Sequence, residues 1–109
     1  MPRRSVLLAV LFALLPGLPA SADLSAARRA DLKNMLEEDC GSCHGLTRKG
    51  GLGSPLTPEI IAERTDAHLR EVILDGIPGT PMPPWRPLLS GADVDWLVHL
   101  LREGPSHAR

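Results

Sequence analysis

Apolar residues recur at helical spacing in four stretches of this chain, and stretches rich in Gly and Pro separate them. In the first stretch, residues 24–39, Leu32 and Leu36 form an i,i+4 apolar pair without an intervening Gly or Pro, and Ser25 is a candidate N-cap. The pattern predicts a helix over 24–39 that leads directly into Cys40.

Three further helices are predicted in the second half of the chain. Thr57-Pro58-Glu59 supplies an N-cap, a first-turn proline and an acid, which predicts a short helix to about residue 64. Another helix begins at Asp66 and ends at Gly76. Ser90 caps the last helix, and Asp93 is placed to complete a capping box. The apolar stripe of this last helix consists of Trp96, Leu97, Leu100 and Leu101.

Two linkers join these helices. Residues 45–55 are rich in glycine, which lets the backbone pass close to a flat ligand. Residues 76–87 hold Met82 and Trp85 among prolines and glycines, a composition that excludes regular helix or central strand. Because no convincing strand pattern occurs, the sequence predicts an all-α fold of four to five helices.

Residues 1–22 have the pattern of a secretory signal peptide. Arg3 and Arg4 make a basic start, residues 6–15 are apolar but too short for a stable anchor, and Ala20-Ser21-Ala22 is a cleavage signal. We expect cleavage after Ala22 and a mature domain over 23–109. The rival interpretations are an uncleaved leader that acts as a membrane tether and, for the arginine pair, twin-arginine export.

Charge and size limit what the exported domain does. Loss of the leader removes two of the 12 basic residues and leaves 13 acidic ones, a formal charge of −3 that gives no indication of nucleic-acid binding. Trp85 and Trp96 are the only aromatic residues outside the leader. We therefore expect a small apolar core that a bound cofactor completes.

The segment that carries chemistry is Cys40-Gly41-Ser42-Cys43-His44. Two thiols three residues apart, followed at once by a histidine, form the attachment pattern of a c-type haem. On a helix the three side chains lie on one side of a turn. We expect Cys40 and Cys43 to form thioethers with the haem vinyl groups and His44 to be the proximal iron ligand, with one covalent haem c per chain.

Two other chemistries use closely spaced cysteines, and both are less favoured. A redox dithiol normally follows a strand of a βαβ unit, and no β-rich run precedes Cys40. A structural zinc site needs four ligands. The chain has no other cysteine, and its remaining histidines are isolated: His68, His99 and His107.

The second axial ligand decides between an electron carrier and a site that binds small molecules. Met82 is the preferred distal ligand, because a proline-stiffened loop holds it 38 residues after His44, far enough to reach the opposite face of the ring. Met35, His68 and His99 are the alternatives. Ligation by His and Met fills both axial positions, which favours electron transfer over enzymatic chemistry and raises the reduction potential.

Other residues near the linkers are candidate haem neighbours. Trp85 is either a donor to a haem propionate or a core residue. The second ring nitrogen of His44 needs an acceptor, for which a backbone carbonyl near Ser54-Pro55 is the candidate. Three basic residues are candidates to pair with propionates or to meet a partner protein: Arg48, Lys49 and Arg86.

The helix before Cys40, the Met82 loop and the closing helix together resemble the class I monohaem cytochromes c, all-α folds whose first and last helices cross beside the haem. Between about residues 32 and 101 the chain is most similar to the NirC subgroup, the small periplasmic cytochromes encoded with the haem-d-type dissimilatory nitrite reductase of denitrifying bacteria. The similar strings are DCGSCHGL at 39–46, GGLG at 50–53, LTP at 56–58, ILDG at 73–76 and PGTPMPPW at 78–85.

The resemblance implies a periplasmic protein that is not an enzyme and that delivers single electrons to nitrite reductase or its maturation proteins. The alternatives are an accessory role in maturation of haem d and, third, a haem enzyme or sensor with a displaceable distal ligand. At the helix crossing, the resemblance implies contact of Leu32 and Leu36 with Trp96, Leu97 and Leu100. The subgroup's Gly-Pro appears here as Gly53-Ser54-Pro55, which leaves open the carbonyl that orients His44.

Overall fold

The computed structural model of the chain describes residues 23–105. The predicted signal peptide, its cleavage site and His107 lie outside this range. Within it every regular element is a helix, which confirms the all-α class. The elements are α1 (Ala26–Met35), a π-helical turn (Leu36–Cys40), α2 (Gly41–His44), α3 (Pro58–Ala62), α4 (Asp66–Asp75) and α5 (Gly91–Glu103).

The first three elements follow one another without a break and carry the helix further than predicted. Ser25 is the N-cap, because its hydroxyl accepts a hydrogen bond from the Arg28 amide at 3.0 Å. The expected end near residue 39 is wrong: the helix widens into the π-helical turn and continues through α2. It ends at Gly45, whose φ of 91° other residues rarely adopt.

The later helices begin and end close to the predicted residues. Thr65 caps α4 by accepting from the His68 amide, and Gly76, with φ 67°, terminates it. The predicted capping box of α5 is confirmed, because Ser90 and Asp93 each bond the other's backbone amide. The helix that begins at Pro58 is two residues shorter than expected.

The core lies where α1 packs on α5, and α3 and α4 also pack against α5. Leu32 and Leu36 are fully buried there. Of the predicted partners on α5, Leu97 is buried in the same cluster, and Trp96 and Leu100 are partly buried and pack against it. The residues of α5 that are buried with this pair are Val94, Leu97, Val98 and Leu101.

One partly buried ion pair joins the first helix to the last. The guanidinium of Arg28 donates to both carboxylate oxygens of Asp93, at 3.0 and 2.8 Å. The two hydrogen bonds from Arg28, together with those from Ser90, lower the pKa of Asp93 to about 2 from its usual 3.8. The crossing is thus fixed by charge as well as by apolar packing.

Candidate haem site

The attachment segment presents two unlinked thiols on one helical stretch. Cys40 ends the π-helical turn and is half-buried, whereas Cys43 lies in α2 and is exposed, and both are free. Between them the Ser42 hydroxyl donates to the Asp39 carbonyl at 2.7 Å, which ties the intervening residue back onto the preceding turn. Both sulfur atoms are therefore available for bonding to another group.

The electrostatic environment of Cys40 differs from that of a reactive redox cysteine. Burial, with the nearby Asp39 carboxylate, raises the pKa of the Cys40 thiol to about 11, although Arg48 acts in the opposite direction. The attacking cysteine of a reactive dithiol has a lowered pKa instead. The raised pKa of Cys40 therefore does not favour the redox dithiol alternative.

His44 is oriented by a single backbone acceptor. Its Nδ1 lies 2.7 Å from the carbonyl oxygen of Ser54, so Nδ1 carries the proton and Nε2 is left with a free lone pair. The expectation of an acceptor near Ser54-Pro55 is confirmed. The approach requires glycine at position 53, because a Cβ there would lie 2.8 Å from ring atoms of His44.

The loop after His44 folds back onto the attachment segment through backbone hydrogen bonds. The Gly50 amide donates to the His44 carbonyl and the Gly53 amide to the Cys43 carbonyl, both at 2.8 Å. This folding leaves two apolar side chains in solvent, Leu46 at 76% and Leu52 at 93% exposure. Apolar surface of this kind beside two thiols and an imidazole fits a large flat cofactor.

Met82 lies in a loop that is closed on the end of α4. The amides of Trp85 and Arg86 donate to the carbonyls of Ile73 and Leu74, each at 3.0 Å, so two residues of the loop satisfy the last turn of the helix. Ahead of Met82, the Thr80 amide donates to the Ile77 carbonyl at 3.1 Å, across Pro78 and Gly79. The side chain of Met82 is half-buried.

The loop also depends on close contact with Gly76. A Cβ at this position would lie 2.6 Å from the Met82 carbonyl oxygen and 2.8 Å from the Pro83 carbonyl carbon. The Ile77 amide donates to the same Met82 carbonyl at 3.2 Å. The glycine that ends α4 therefore also permits the tight return of the chain past the methionine.

The candidate propionate partners occupy three different environments. Arg48 is buried, with 5% exposure, and its guanidinium donates to the Leu100 carbonyl at 3.4 Å. Arg86 forms a bidentate ion pair with Asp75 at 2.8 and 2.9 Å, so its guanidinium is already paired with a carboxylate of the chain. Lys49 is exposed. Sequence reasoning placed all three in one class, because a charged residue in a loop gives no indication of its burial.

The alternative axial ligands lie on helices. Met35 is half-buried against the core from α1. His68 and His99 are exposed, on α4 and α5, and the imidazole of His99 lies 3.2 Å from the Glu103 carboxylate. Trp85 is half-buried and packs against the apolar core.

Comparison with known proteins shows the family and the fold. Residues 27–101 match the family described as cytochrome C oxidase, cbb3-type, subunit III. The chain is 48% identical over 94 residues to cytochrome c55X of Paracoccus denitrificans, covering 86% of this chain and 91% of that protein. Cytochrome c55X of Pseudomonas aeruginosa is 51% identical over 98 residues, covering 89% and 82%.

Two solved structures are similar as well. The c-type cytochrome NirC superimposes with a TM-score of 0.72 at 48% identity, over 75% of this chain and 100% of NirC. The match confirms the class I cytochrome c fold. Dihydro-heme d1 dehydrogenase NirN in complex with DHE gives a TM-score of 0.63 at 37% identity, over 69% of this chain and 16% of NirN. Across residues 23–105, no helix is long and apolar enough to cross a bilayer.

Proposed function

This chain belongs to the c-type cytochromes, in the family of the cbb3-type subunit III domain and among relatives named cytochrome c55X, and on that premise we propose that it carries single electrons in the bacterial periplasm. Members of the family contain haem c. The observation that carries the proposal is the His44 ring, which the Ser54 carbonyl and Gly53 hold in one orientation beside two free thiols.

In this proposal one covalent haem c is bound per chain. Cys40 and Cys43 supply the thioether bonds, His44 is the proximal ligand through Nε2, and Met82 is the distal ligand. When bound, the haem iron takes up and releases one electron as it cycles between Fe(III) and Fe(II). The hydrogen bond to Ser54 fixes the His44 tautomer and strengthens Nε2 as a donor.

Met82 makes the protein a carrier rather than an enzyme. The loop that holds it is closed by two backbone hydrogen bonds and stiffened by proline, so little conformational entropy is lost when the sulfur binds a metal. With both His44 and Met82 bound, the haem iron would have no ligand position left for oxygen, peroxide or nitrite. Its thioether also favours Fe(II), which raises the reduction potential.

Replacement of Met82 by alanine tests this assignment. We expect purified Met82→Ala protein to keep its covalent haem but to lose the low-spin spectrum of the wild type and to bind carbon monoxide in the ferrous state. The matched control is Met35→Leu, which changes the alternative methionine on α1 and leaves the spectrum unaltered. An unchanged spectrum in Met82→Ala, or carbon monoxide binding by the wild type, contradicts the proposal.

The partner we propose is the haem-d-type nitrite reductase system. We also propose that the protein is exported by a leader cleaved after Ala22. Support comes from the 48% identity to NirC and from the 38% identity, over 82 residues, to the dihydro-heme d1 dehydrogenase of Pseudomonas aeruginosa. The chain spans 17% of that dehydrogenase, so the similarity concerns one domain of a longer protein. The mass of the periplasmic protein tests the cleavage site.

A role in haem d maturation is the second candidate, and the similarity to that dehydrogenase favours it. A gene deletion separates the two roles. If the protein only supplies electrons, nitrite reductase isolated from the deletion strain keeps its full haem content and reduces nitrite with an artificial donor. If the protein acts in maturation, the same enzyme lacks haem d and the artificial donor does not restore activity.

A further inference from the structure

Arg48 is one of two buried charged residues in the described chain, the other being Asp93. Arg48 belongs to the glycine-rich loop after His44, yet only 5% of its surface is exposed. Its backbone has a φ of 60°, and it is the single residue other than glycine with positive φ in the described range. Residues with a Cβ are rarely found there and persist only where the surroundings enforce the conformation.

The surroundings do enforce it. The Arg48 amide donates to the Gly45 carbonyl at 2.8 Å, and the Arg48 carbonyl accepts from the Leu56 amide at 2.9 Å. This backbone conformation turns the side chain inward, where the guanidinium reaches α5 and donates to the Leu100 carbonyl at 3.4 Å. A strained backbone therefore places a cation in the interior.

The buried charge has no carboxylate in contact. No ion pair within 4.0 Å involves Arg48 among residues 23–105, and the guanidinium has one long hydrogen bond for its five N–H groups. Glu37 attracts it through space, but the Glu37 carboxylate already binds the Lys33 ammonium at 2.6 Å. Burial of an arginine with so little compensation from the protein is costly, which fits a residue that faces an anionic group of the haem, such as the propionate named above as a candidate partner.

The loop that carries Arg48 lies against the proposed haem attachment segment. The Arg48 amide donates to the carbonyl of Gly45, the residue after His44, and two later amides of the same loop donate to the carbonyls of Cys43 and His44, each at 2.8 Å. We infer that Arg48 is a positioning residue whose buried cation raises the reduction potential of the haem while its hydrogen bond to Leu100 holds the loop against α5. The inference rests on the proposed function.

The physical reason is electrostatic. The oxidised haem carries one more positive charge than the reduced haem, so a nearby cation destabilises Fe(III) relative to Fe(II). In a protein interior of effective dielectric constant about 20, a unit charge on the order of 10 Å away changes such an equilibrium by about tenfold. Since Arg48 is shielded from water, salt screens this effect only weakly.

The test compares haem-loaded variants by redox titration against a mediator of known potential. In Arg48→Met we expect the Fe(III)/Fe(II) ratio at a given potential to rise about tenfold, equivalent to 59 mV for one electron. Arg48→Lys keeps the charge, so we expect its Fe(III)/Fe(II) ratio to stay close to that of the wild type. Lys49→Gln removes an exposed charge from the next position and changes the ratio by less than twofold. The Arg48→Met shift persists at 0.5 M salt.

The outcomes separate this inference from the proposed function. A wild type without covalent haem overturns both. A wild type with low-spin haem overturns the Arg48 inference alone if the Arg48→Met ratio stays within twofold of it, or if Lys49→Gln shifts the ratio equally. If Arg48→Met yields no holoprotein, Arg48→Gly, which relieves the left-handed backbone and also removes the charge, must show the same tenfold change.

Discussion

The Arg28–Asp93 pair at the helix crossing allows a quantitative prediction for the substitution Asp93→Asn. The Asp93 side chain is 8% exposed and accepts from both Arg28 and the Ser90 amide, so asparagine preserves its shape but removes its charge. A native pKa of about 2, against an ordinary 3.8, corresponds to about 2 kcal/mol of folding free energy while the carboxylate is ionised. We expect Asp93→Asn to lose about this amount at pH 7.

The loss has a defined dependence on pH. The native pKa of Asp93 is depressed, so the stabilisation is fully present above the unfolded pKa of about 4 and disappears as the pH falls from about 4 to about 2. The difference in stability between wild type and Asp93→Asn should therefore fall from about 2 kcal/mol at pH 6 towards zero near pH 2. Other titrating groups are common to both proteins and cancel.

The assay is urea unfolding of the haem-loaded proteins, followed by circular dichroism at several pH values. Asp95→Asn is the matched control, because Asp95 lies on the same helix with 62% of its side chain exposed, at 3.7 Å from Arg70. We expect it to change stability by less than about 0.5 kcal/mol. A difference for Asp93→Asn that is constant with pH, or no greater than that of Asp95→Asn, refutes the reasoning.

Two further predictions concern the attachment site. Gly53→Ala would place a methyl group 2.8 Å from the His44 ring, so we expect visible spectroscopy to show a severalfold lower yield of low-spin holoprotein. Gly79→Ala is the matched control, because a Cβ there has no atom within 4 Å. We expect it to cost about 1 kcal/mol of backbone strain and to keep the wild-type spectrum. Deletion of the exposed Glu38 should convert the π-helical turn to an α-helical turn. Because a π-helical turn holds one extra residue, Cys40 stays on nearly the same side of the helix, and we expect haem-stained gels to show as much covalent haem as for Glu38→Ala. A severalfold lower yield of the deletion than of the substitution would contradict the second prediction.

Sequence patterns predicted the features that depend on local chemistry. A hydroxyl before a helix, a proline at its first position and a glycine at its end act through neighbouring backbone groups, so the caps at Ser25 and Ser90 and the stop at Gly76 could be read from the chain. The acceptor for His44 was predictable for a related reason. A ten-residue loop that returns to an imidazole offers few carbonyls within reach, and Ser54 supplies the one that binds.

What could not be predicted depends on packing. An α-helix and a π-helical turn have the same short-range apolar pattern, so the acidic run before Cys40 gave no indication of the change in hydrogen bonding. The buried face of α5 includes Val94 and Val98 beside the predicted Leu97 and Leu101, whereas Trp96 is only partly buried, and the apolar pattern of the helix does not distinguish these positions. The burial of Arg48 likewise follows from a loop conformation that composition does not determine.

The hydrogen bonds that close the Met82 loop allow this region to open separately from the rest of the domain. Two backbone hydrogen bonds hold the loop to the end of α4, and neither lies at the crossing of α1 with α5. Rupture of these two bonds would release the segment as a separate cooperative unit while the rest of the domain stays intact. If Met82 binds the haem iron as proposed, its sulfur would leave and return through this local opening rather than through unfolding of the whole domain.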